Sequence, residues 1–159
     1  MTQVETISIE RGAVRFPIRA GLFGRATRYV HAVDDVSLAL HEDETVALVG
    51  ESGSGKTTLG LSLLALRQIS DGTIRWRGKP LTELDRTGMR AFRKDVQVVF
   101  QDPYASLNPR QPVGEALMRP LRLHKSMPPG DMPAYVEDML DRVGLRPSHL
   151  YIDRYPHEF

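Results

Sequence analysis

The feature that most constrains this chain of 159 residues is a glycine-rich stretch at residues 50–57. Its sequence, GESGSGKT, matches the pattern G-x-x-x-x-G-K-[ST] in full, and Gly53 adds a third glycine. Glycines let the backbone fold tightly around a phosphate chain, so that successive N–H groups point inward. A helix that begins near Gly55 would add the positive end of its dipole. The stretch therefore predicts a loop that binds the phosphates of a nucleotide.

The side chains of the same stretch predict two more specific roles. We expect the Lys56 ammonium to reach the β- and γ-phosphates of the nucleotide and the Thr57 hydroxyl to ligate Mg²⁺. A short apolar run at residues 46–49 precedes the loop, and a leucine-rich stretch at residues 57–66 follows it, which gives the strand, loop and helix that the mechanism requires. The candidate nucleotide-binding residues of the loop are Gly50, Glu51, Ser52, Gly53, Ser54, Gly55, Lys56, Thr57 and Thr58.

Composition excludes several other classes of function. The chain has no cysteine, which excludes a disulfide scaffold, a cysteine-ligated zinc site and thiol catalysis. Lys and Arg number 21 against 20 Asp and Glu, so the net charge of +1 gives no reason to expect a nucleic-acid partner. No apolar run approaches the roughly 18 residues that a membrane span needs. We expect a soluble, cytoplasmic chain whose role at a membrane comes through a partner.

Hydrophobic patterning predicts an α/β front and a helical back. Alternating apolar residues predict strands that could be half buried, whereas continuous apolar runs predict strands buried on both faces of a parallel sheet. Prolines and glycines predict a loop over residues 15–30. Strands are predicted within residues 4–10 and over residues 36–40, 46–49, 73–76 and 96–100, and helices over residues 57–66, 87–94 and 133–143.

The change from the α/β front to the helical back comes near residue 105. Prolines punctuate the chain from residue 103 to residue 112, and no β-type alternation follows them. The last predicted helix carries an apolar stripe at Val136, Met139, Leu140 and Val143. We therefore predict an α/β nucleotide-binding core over residues 1–105 and a helical subdomain over residues 106–159.

The residues at the end of the second continuous apolar run, and those that follow it, indicate which class of phosphate-loop protein this chain resembles. They read VVFQDPYASLNPR over residues 98–110, HAVDDVS precedes the loop at residues 31–37, and the chain ends in RYPHEF at residues 154–159. With these motifs, nearly the whole chain resembles the ATP-binding subunits of ATP-binding-cassette (ABC) importers for dipeptides, oligopeptides and related solutes such as nickel. The resemblance implies the N-terminal part of an α/β P-loop NTPase, with the start of a helical subdomain.

The resemblance also implies ATP and Mg²⁺ as cofactors, and it adds site residues. Gln101 begins the segment that the family calls the Q-loop, where it would contact Mg²⁺ and the attacking water and sense the membrane subunits. An amide suits this role because it can ligate through oxygen and donate through nitrogen. Gln101 thus joins Lys56 as a candidate catalytic residue and Thr57 as a candidate metal ligand. An aromatic residue upstream of the loop stacks on adenine in the family, and Phe16 and Tyr29 are the candidates.

By the same resemblance, the chain is an ATP-binding subunit that energises the import of peptides or similar solutes. Its expected partners are transmembrane permease subunits and a second ATPase subunit, identical or different, because two such subunits sandwich two nucleotides. The expected location is the inner face of the cell membrane, where the permease holds the subunit peripherally. A nucleic-acid partner is not expected.

In the family, the YPHEF motif is followed by a Ser-Gly-Gly-Gln signature, and later by the Mg²⁺-binding Asp, the catalytic Glu and the switch His. Because the sequence stops at Phe159, we expect the front part of an ATPase domain, truncated before the signature, with an incomplete sheet and an incomplete helical subdomain. We also expect poor ATP hydrolysis by the chain alone. Residues 46–49 should lack sheet neighbours, which favours marginal stability or association.

Two alternatives remain open on the residues themselves. A small self-contained P-loop kinase would use Asp102 to bind Mg²⁺, although Pro103 follows at once. A non-catalytic nucleotide-binding remnant would share every residue assignment and differ only in whether it hydrolyses ATP.

Overall fold

A computed structural model describes residues 4–19, 26–102 and 106–159 of the chain. They fall into two compact units, which divide between Val98 and Val99. The first unit contains β1 (Glu5–Arg19), β2 (Ala26–His41), α1 (Lys56–Leu63), β3 (Asp71–Trp76), β4 (Lys79–Pro80), a 3₁₀ turn (Leu81–Glu83) and α2 (Arg86–Asp95). The second contains α3 (Val113–His124), α4 (Met132–Arg142) and 3₁₀ turns at Pro129–Asp131, Ser148–Leu150 and Pro156–Glu158.

The sheet of the first unit is antiparallel, with strand order β2-β1-β3-β4. Ile9 of β1 pairs with Leu38 on one side and Ile74 on the other. The predicted strands at residues 36–40 and 73–76 are confirmed within β2 and β3, and the helices predicted at residues 57–66 and 87–94 are confirmed as α1 and α2.

The loop predicted over residues 15–30 is wrong for most of its length. β1 continues to Arg19 and β2 begins at Ala26, with Phe16 opposite Val30 and Pro17 opposite Tyr29. The ladder between β1 and β3 ends at Ala13, so Pro17 stands where β1 pairs only with β2 and its missing N–H breaks no second ladder. Residues 15–19 and 26–30 therefore form a strand pair, although their basic residues and proline predict a loop.

The two predicted buried strands at residues 46–49 and 96–100 are also wrong. Residues 44–50 and 96–100 carry no strand, and Val49 and Val99 are 89% and 95% exposed. A strand of a parallel sheet forms only when neighbouring strands accept and donate its ladder hydrogen bonds. Within the described ranges, no strand pairs with either segment.

The core of the first unit lies between the sheet and the two helices. Ile9 and Val14 of β1 and Phe92 of α2 are almost completely buried. Trp76 is buried beside Phe92, and the two rings meet edge to face with centroids 5.9 Å apart. The remaining buried members of this cluster are Ile7, Val33, Leu59, Ile74 and Leu81. The core therefore ties α1, the helix that follows the glycine-rich loop, to β1 and β2.

The second unit is helical, as predicted. α4 buries Met132, Val136 and Leu140, which lie one helical turn apart, whereas Met139 and Val143 of the predicted stripe are exposed. Gly144, with φ of 85°, follows α4 where the sequence predicts a stop. None of the helices in the described ranges combines the length and apolar character needed to cross a membrane.

Candidate functional site

The glycine-rich loop connects residues 44–50 to α1 and turns sharply twice. Gly53 and Gly55 have φ of 83° and 91°, a left-handed conformation that glycine adopts without steric cost. The Ser54 N–H donates to the Glu51 carbonyl at 3.2 Å and closes the turn between them. Two of the three glycines are therefore required by the backbone path itself.

Gly55 also brings the loop against β2. A Cβ atom at this position would lie 2.0 Å from the Ala32 carbonyl oxygen and 3.6 Å from Cγ2 of Val33. A Cβ atom at Gly50 would lie 2.8 Å from Oγ of Ser54, a side chain that could rotate away. The sequence predicts glycine here for phosphate approach, but it gave no signal of this contact with the strand.

The Lys56 side chain folds back over the loop that precedes it. Its Nζ atom donates to the carbonyl oxygens of Gly50 at 2.8 Å and Glu51 at 2.6 Å, and it lies 3.3 Å from Oγ of Ser54. These contacts hold the ammonium group inside the curve of the loop. The structure thus brings Lys56 together with the predicted loop residues.

The first turn of α1 contributes backbone N–H groups to the same place. Gly55 is the N-cap and no side chain caps the helix, and the first turn contains no acidic residue. The first N–H groups of any helix lack carbonyl partners within it and carry the positive end of its dipole. Thr57 lies exposed in this turn, and the half-buried Thr58 uses its carbonyl to accept a hydrogen bond from the Ser62 hydroxyl at 2.8 Å.

A cavity of about 410 Å³ opens between the loop and β2. Val33 and Asp34 of β2 line one side, and Gly50, Ser54 and Lys56 line the other. The remaining predicted loop residues, Glu51 and Ser52, are exposed. The cavity thus has a cationic group and a helix N-terminus on one wall.

The two aromatic candidates lie on opposite faces of the β1–β2 ladder. Phe16 pairs with Val30 and Tyr29 with Pro17, and neighbouring positions along a strand point to opposite faces. Phe16 is half buried against the core and has the Arg67 guanidinium 5.1 Å from its ring centroid. Tyr29 is 54% exposed. Phe16 therefore shares the core face that α1 covers, and Tyr29 does not.

Gln101 and Asp102 belong to the second unit, near its start. Both side chains are exposed. The segment that follows, residues 103–105, falls outside the described residues. The role of Gln101 stays a prediction.

One carboxylate near the loop has a shifted pKa. The backbone N–H of His41 donates to Oε2 of Glu44 at 3.0 Å, and the His41 ring nitrogen Nδ1 lies 3.0 Å from the same oxygen. The backbone hydrogen bond is the main cause that lowers the pKa of Glu44 from its usual value of 4.5, and the ring contact adds to it. The carboxylate fixes the turn between β2 and the segment that enters the loop.

A model of the ABC transporter family matches residues 33–159, which include the loop, α1 and the whole second unit. The chain belongs to the ABC transporter family. This confirms the resemblance predicted from the motifs at residues 31–37, 98–110 and 154–159. The kinase alternative built on Asp102 and the remnant alternative are not supported.

Curated members of the family include close relatives of the chain. It is 50% identical over 145 residues to the glutathione import ATP-binding protein GsiA of Escherichia coli strain K12, covering 91% of this chain and 23% of that protein. It is 51% identical over 157 residues to GsiA of Salmonella paratyphi A, covering 98% of this chain and 25% of that protein. The chain spans about a quarter of the length of these curated relatives.

Solved structures of ABC cassettes share the fold. A dimeric, post-hydrolysis structure of the ATP-binding cassette MJ0796 bound to ADP and Pi superposes with a TM-score of 0.75 at 20% sequence identity. The match covers 96% of this chain and 62% of that one, and a second dimeric MJ0796 structure gives a TM-score of 0.76. The predicted fold class, the N-terminal part of an α/β ABC ATPase with the start of a helical subdomain, is confirmed.

Proposed function

We propose that this chain binds ATP at the loop of residues 50–57, as part of an ABC importer subunit for peptides or similar solutes such as glutathione. The observation that carries the proposal is the Lys56 ammonium held inside the loop at the first turn of α1. Lys56 and Gly55, the N-cap of α1, both line the cavity beside the loop, and a cation next to the N-terminus of a helix forms a site for a polyphosphate. Family membership and the GsiA relatives support ATP as the nucleotide and import as the process.

Phosphate oxygens would replace the present hydrogen-bond partners of Lys56. Its ammonium now donates to two neutral carbonyl oxygens, whereas a phosphate oxygen would add the attraction between opposite charges to the hydrogen bond. The loop backbone and the N–H groups of Lys56, Thr57 and Thr58 would bind the remaining oxygens. Lys56 thereby acts as a candidate catalytic residue that neutralises charge on the phosphates.

Mg²⁺ would be held by the Thr57 hydroxyl, and Gln101 is a second candidate ligand. Thr57 fits because its side chain is exposed in the first turn of α1, beside Lys56. Hydroxyl, amide and phosphate oxygens are ligands that Mg²⁺ accepts. When bound, the ion would neutralise charge on the phosphates during transfer.

Phe16 is our first candidate for the contact with adenine. It lies on the core face of β1 with Val14, and Val14 pairs with Val33, which lines the cavity at the loop. Tyr29 points to the other face, so it would need a different approach of the base. We retain both because each offers an aromatic face upstream of the loop.

In the whole protein, we propose that residues 1–105 form the nucleotide-binding core and residues 106–159 the beginning of the helical subdomain. A second ATPase subunit and transmembrane permease subunits would be its partners at the inner face of the cell membrane. The dimeric MJ0796 cassette supports the pairing of two such subunits. The GsiA relatives, whose names include glutathione import, support glutathione or a similar small peptide as the solute.

Calorimetric titration with ATP and Mg²⁺ tests the proposal. We expect Lys56→Ala to weaken ATP binding by at least about tenfold, because a charged hydrogen bond contributes about 1.5–3 kcal/mol. Lys79→Ala is the matched control, since Lys79 is an exposed lysine of β4 in the same unit. Equal binding by the wild type and the Lys56→Ala chain would contradict the proposal. In cells that carry the whole subunit, loss of labelled glutathione or peptide uptake with Lys56→Ala tests the import role.

A further inference from the structure

Arg67 makes a contact that the proposed function does not use. Its guanidinium carbon lies 5.1 Å from the ring centroid of Phe16. The backbone holds Arg67 in place just after α1, because its N–H donates to the Leu61 carbonyl at 3.0 Å. One aromatic candidate for the base contact therefore has a cation against its ring.

Phe16 is only partly buried, and the Arg67 guanidinium lies against its ring. Phe16 packs against the core cluster, and Arg67 lies over its ring. Arg67 itself is exposed, and within the described parts of the chain no acidic side chain forms an ion pair with it. Because no carboxylate of the described residues binds the guanidinium, it is available to hold the Phe16 ring.

We propose that Arg67 is a positioning residue for the nucleobase: it holds the Phe16 ring so that adenine stacks on the ring face opposite the guanidinium. This rests on the proposed function and on Phe16 as the base contact. The planar guanidinium stacks on one face and restricts rotation of the ring. Arg67 then acts on the base of the nucleotide and not on its phosphates, which bind at the other end of α1.

A second pair in the same unit supplies a matched control. The Arg77 guanidinium carbon lies 5.1 Å from the Trp76 ring centroid, the same separation as in the first pair. Trp76 is buried in the core, and Arg77 forms an ion pair with Asp95 at 2.8 Å. Arg77→Ala therefore removes an equivalent cation–ring contact that has no place in the base site.

The test compares the binding of ATP with that of inorganic tripolyphosphate, which has no base. We expect Arg67→Ala to weaken ATP binding about two- to fivefold, the usual size of an exposed cation–ring contact. Tripolyphosphate binding should stay unchanged, and Arg77→Ala should alter neither affinity. Arg67→Lys should recover part of the loss, and Arg67→Ala should add nothing in a Phe16→Ala background.

Four results with the variants would overturn the inference. ATP affinity could be unchanged in Arg67→Ala, or it could rise, which would mean that the guanidinium occupies the place of the base. The binding of ATP and the binding of tripolyphosphate could weaken equally, or Arg77→Ala could weaken ATP binding as much as Arg67→Ala does. Either result would indicate a general loss of structure. A wild type that binds tripolyphosphate as tightly as ATP defeats this inference alone. One that binds neither defeats the proposed function as well.

Discussion

Gly55 lies so close to Ala32 that a Cβ atom on the glycine would come within 2.0 Å of the alanine carbonyl oxygen. The carbonyl belongs to the backbone of β2, so it cannot rotate away as a side chain could. Gly55 is also the N-cap of α1. The contact therefore fixes the start of α1, and with it Lys56 and Thr57, against the sheet.

This relationship predicts different costs for two glycines of one loop. Gly53→Ala should lower the free energy of unfolding by about 1–2 kcal/mol, because only the left-handed φ of 83° is strained and no atom lies within 4 Å of the new Cβ. Gly55→Ala should cost clearly more, because the same strain is joined by the clash with Ala32. Urea unfolding followed by the fluorescence of Trp76, the only tryptophan, measures both. Equal losses of unfolding free energy in the two variants would contradict the contact between Gly55 and Ala32.

The sequence predicts the glycines but not all of their reasons. The pattern of residues 50–57 predicts the turn, the start of the helix and the role of Lys56, because these features depend on local residue types. The approach of Gly55 to β2 joins residues far apart along the chain, and Ala32 has no side chain that would signal it. The position of Arg67 over Phe16 escapes the sequence for the same reason.

The predicted strands at residues 46–49 and 96–100 failed for another physical reason. A continuous apolar run indicates that both faces of a segment are suited to burial, but it does not identify the strands that bury it. The described chain leaves Val49 and Val99 exposed. The local alternation of Ile7 and Ile9, by contrast, was sufficient to predict a strand, because β2 and β3 are both present to pair with β1.

Glu44 predicts a dependence of stability on pH. Because folding lowers its pKa from 4.5, the ionised carboxylate stabilises the fold above that pH, and the contribution is lost as the pH falls through the lower folded value. We expect Glu44→Gln to flatten this part of the stability profile between neutral and acid pH. Unfolding curves over that range measure the effect, with Glu83→Gln, an exposed glutamate, as the control. The same acid profile in the wild type and Glu44→Gln would show that the two His41 contacts do not form.

Trp76 has a buried indole N–H that no acceptor meets in the described part of the chain. Trp76→Phe removes this donor, which recovers about 1–3 kcal/mol of desolvation cost, and it gives up some packing in exchange. The net change in unfolding free energy should therefore be under about 1.5 kcal/mol, against roughly 3–5 kcal/mol for Phe92→Ala in the same core. Far-UV circular dichroism follows both unfolding curves, since Trp76→Phe leaves no tryptophan. A cost for Trp76→Phe as large as that for Phe92→Ala would mean that the N–H is bonded.

Gly114 fixes the start of α3 in the second unit. Its N–H donates to the Ile152 carbonyl at 2.8 Å, and a Cβ atom there would lie 2.7 Å from that oxygen and 2.4 Å from Cγ1 of Ile152. Gly114→Ala should therefore separate α3 from residue 152 and cost about 1–3 kcal/mol, as overpacked sites do.

The matched control is Gly130→Ala, because nothing lies within 4 Å of a Cβ atom at Gly130 and its φ is not left-handed. It should leave stability unchanged or raise it by about 0.4–1 kcal/mol, since alanine restricts the unfolded chain. Thermal unfolding by far-UV circular dichroism and protection of the Gly114 amide from hydrogen exchange measure both variants. If Gly114→Ala retained wild-type stability while Gly130→Ala lost it, the contact between α3 and Ile152 would not be what orders the second unit. We expect Gly114→Ala to be the less stable of the two variants, because the Ile152 backbone carbonyl leaves no room for a methyl group.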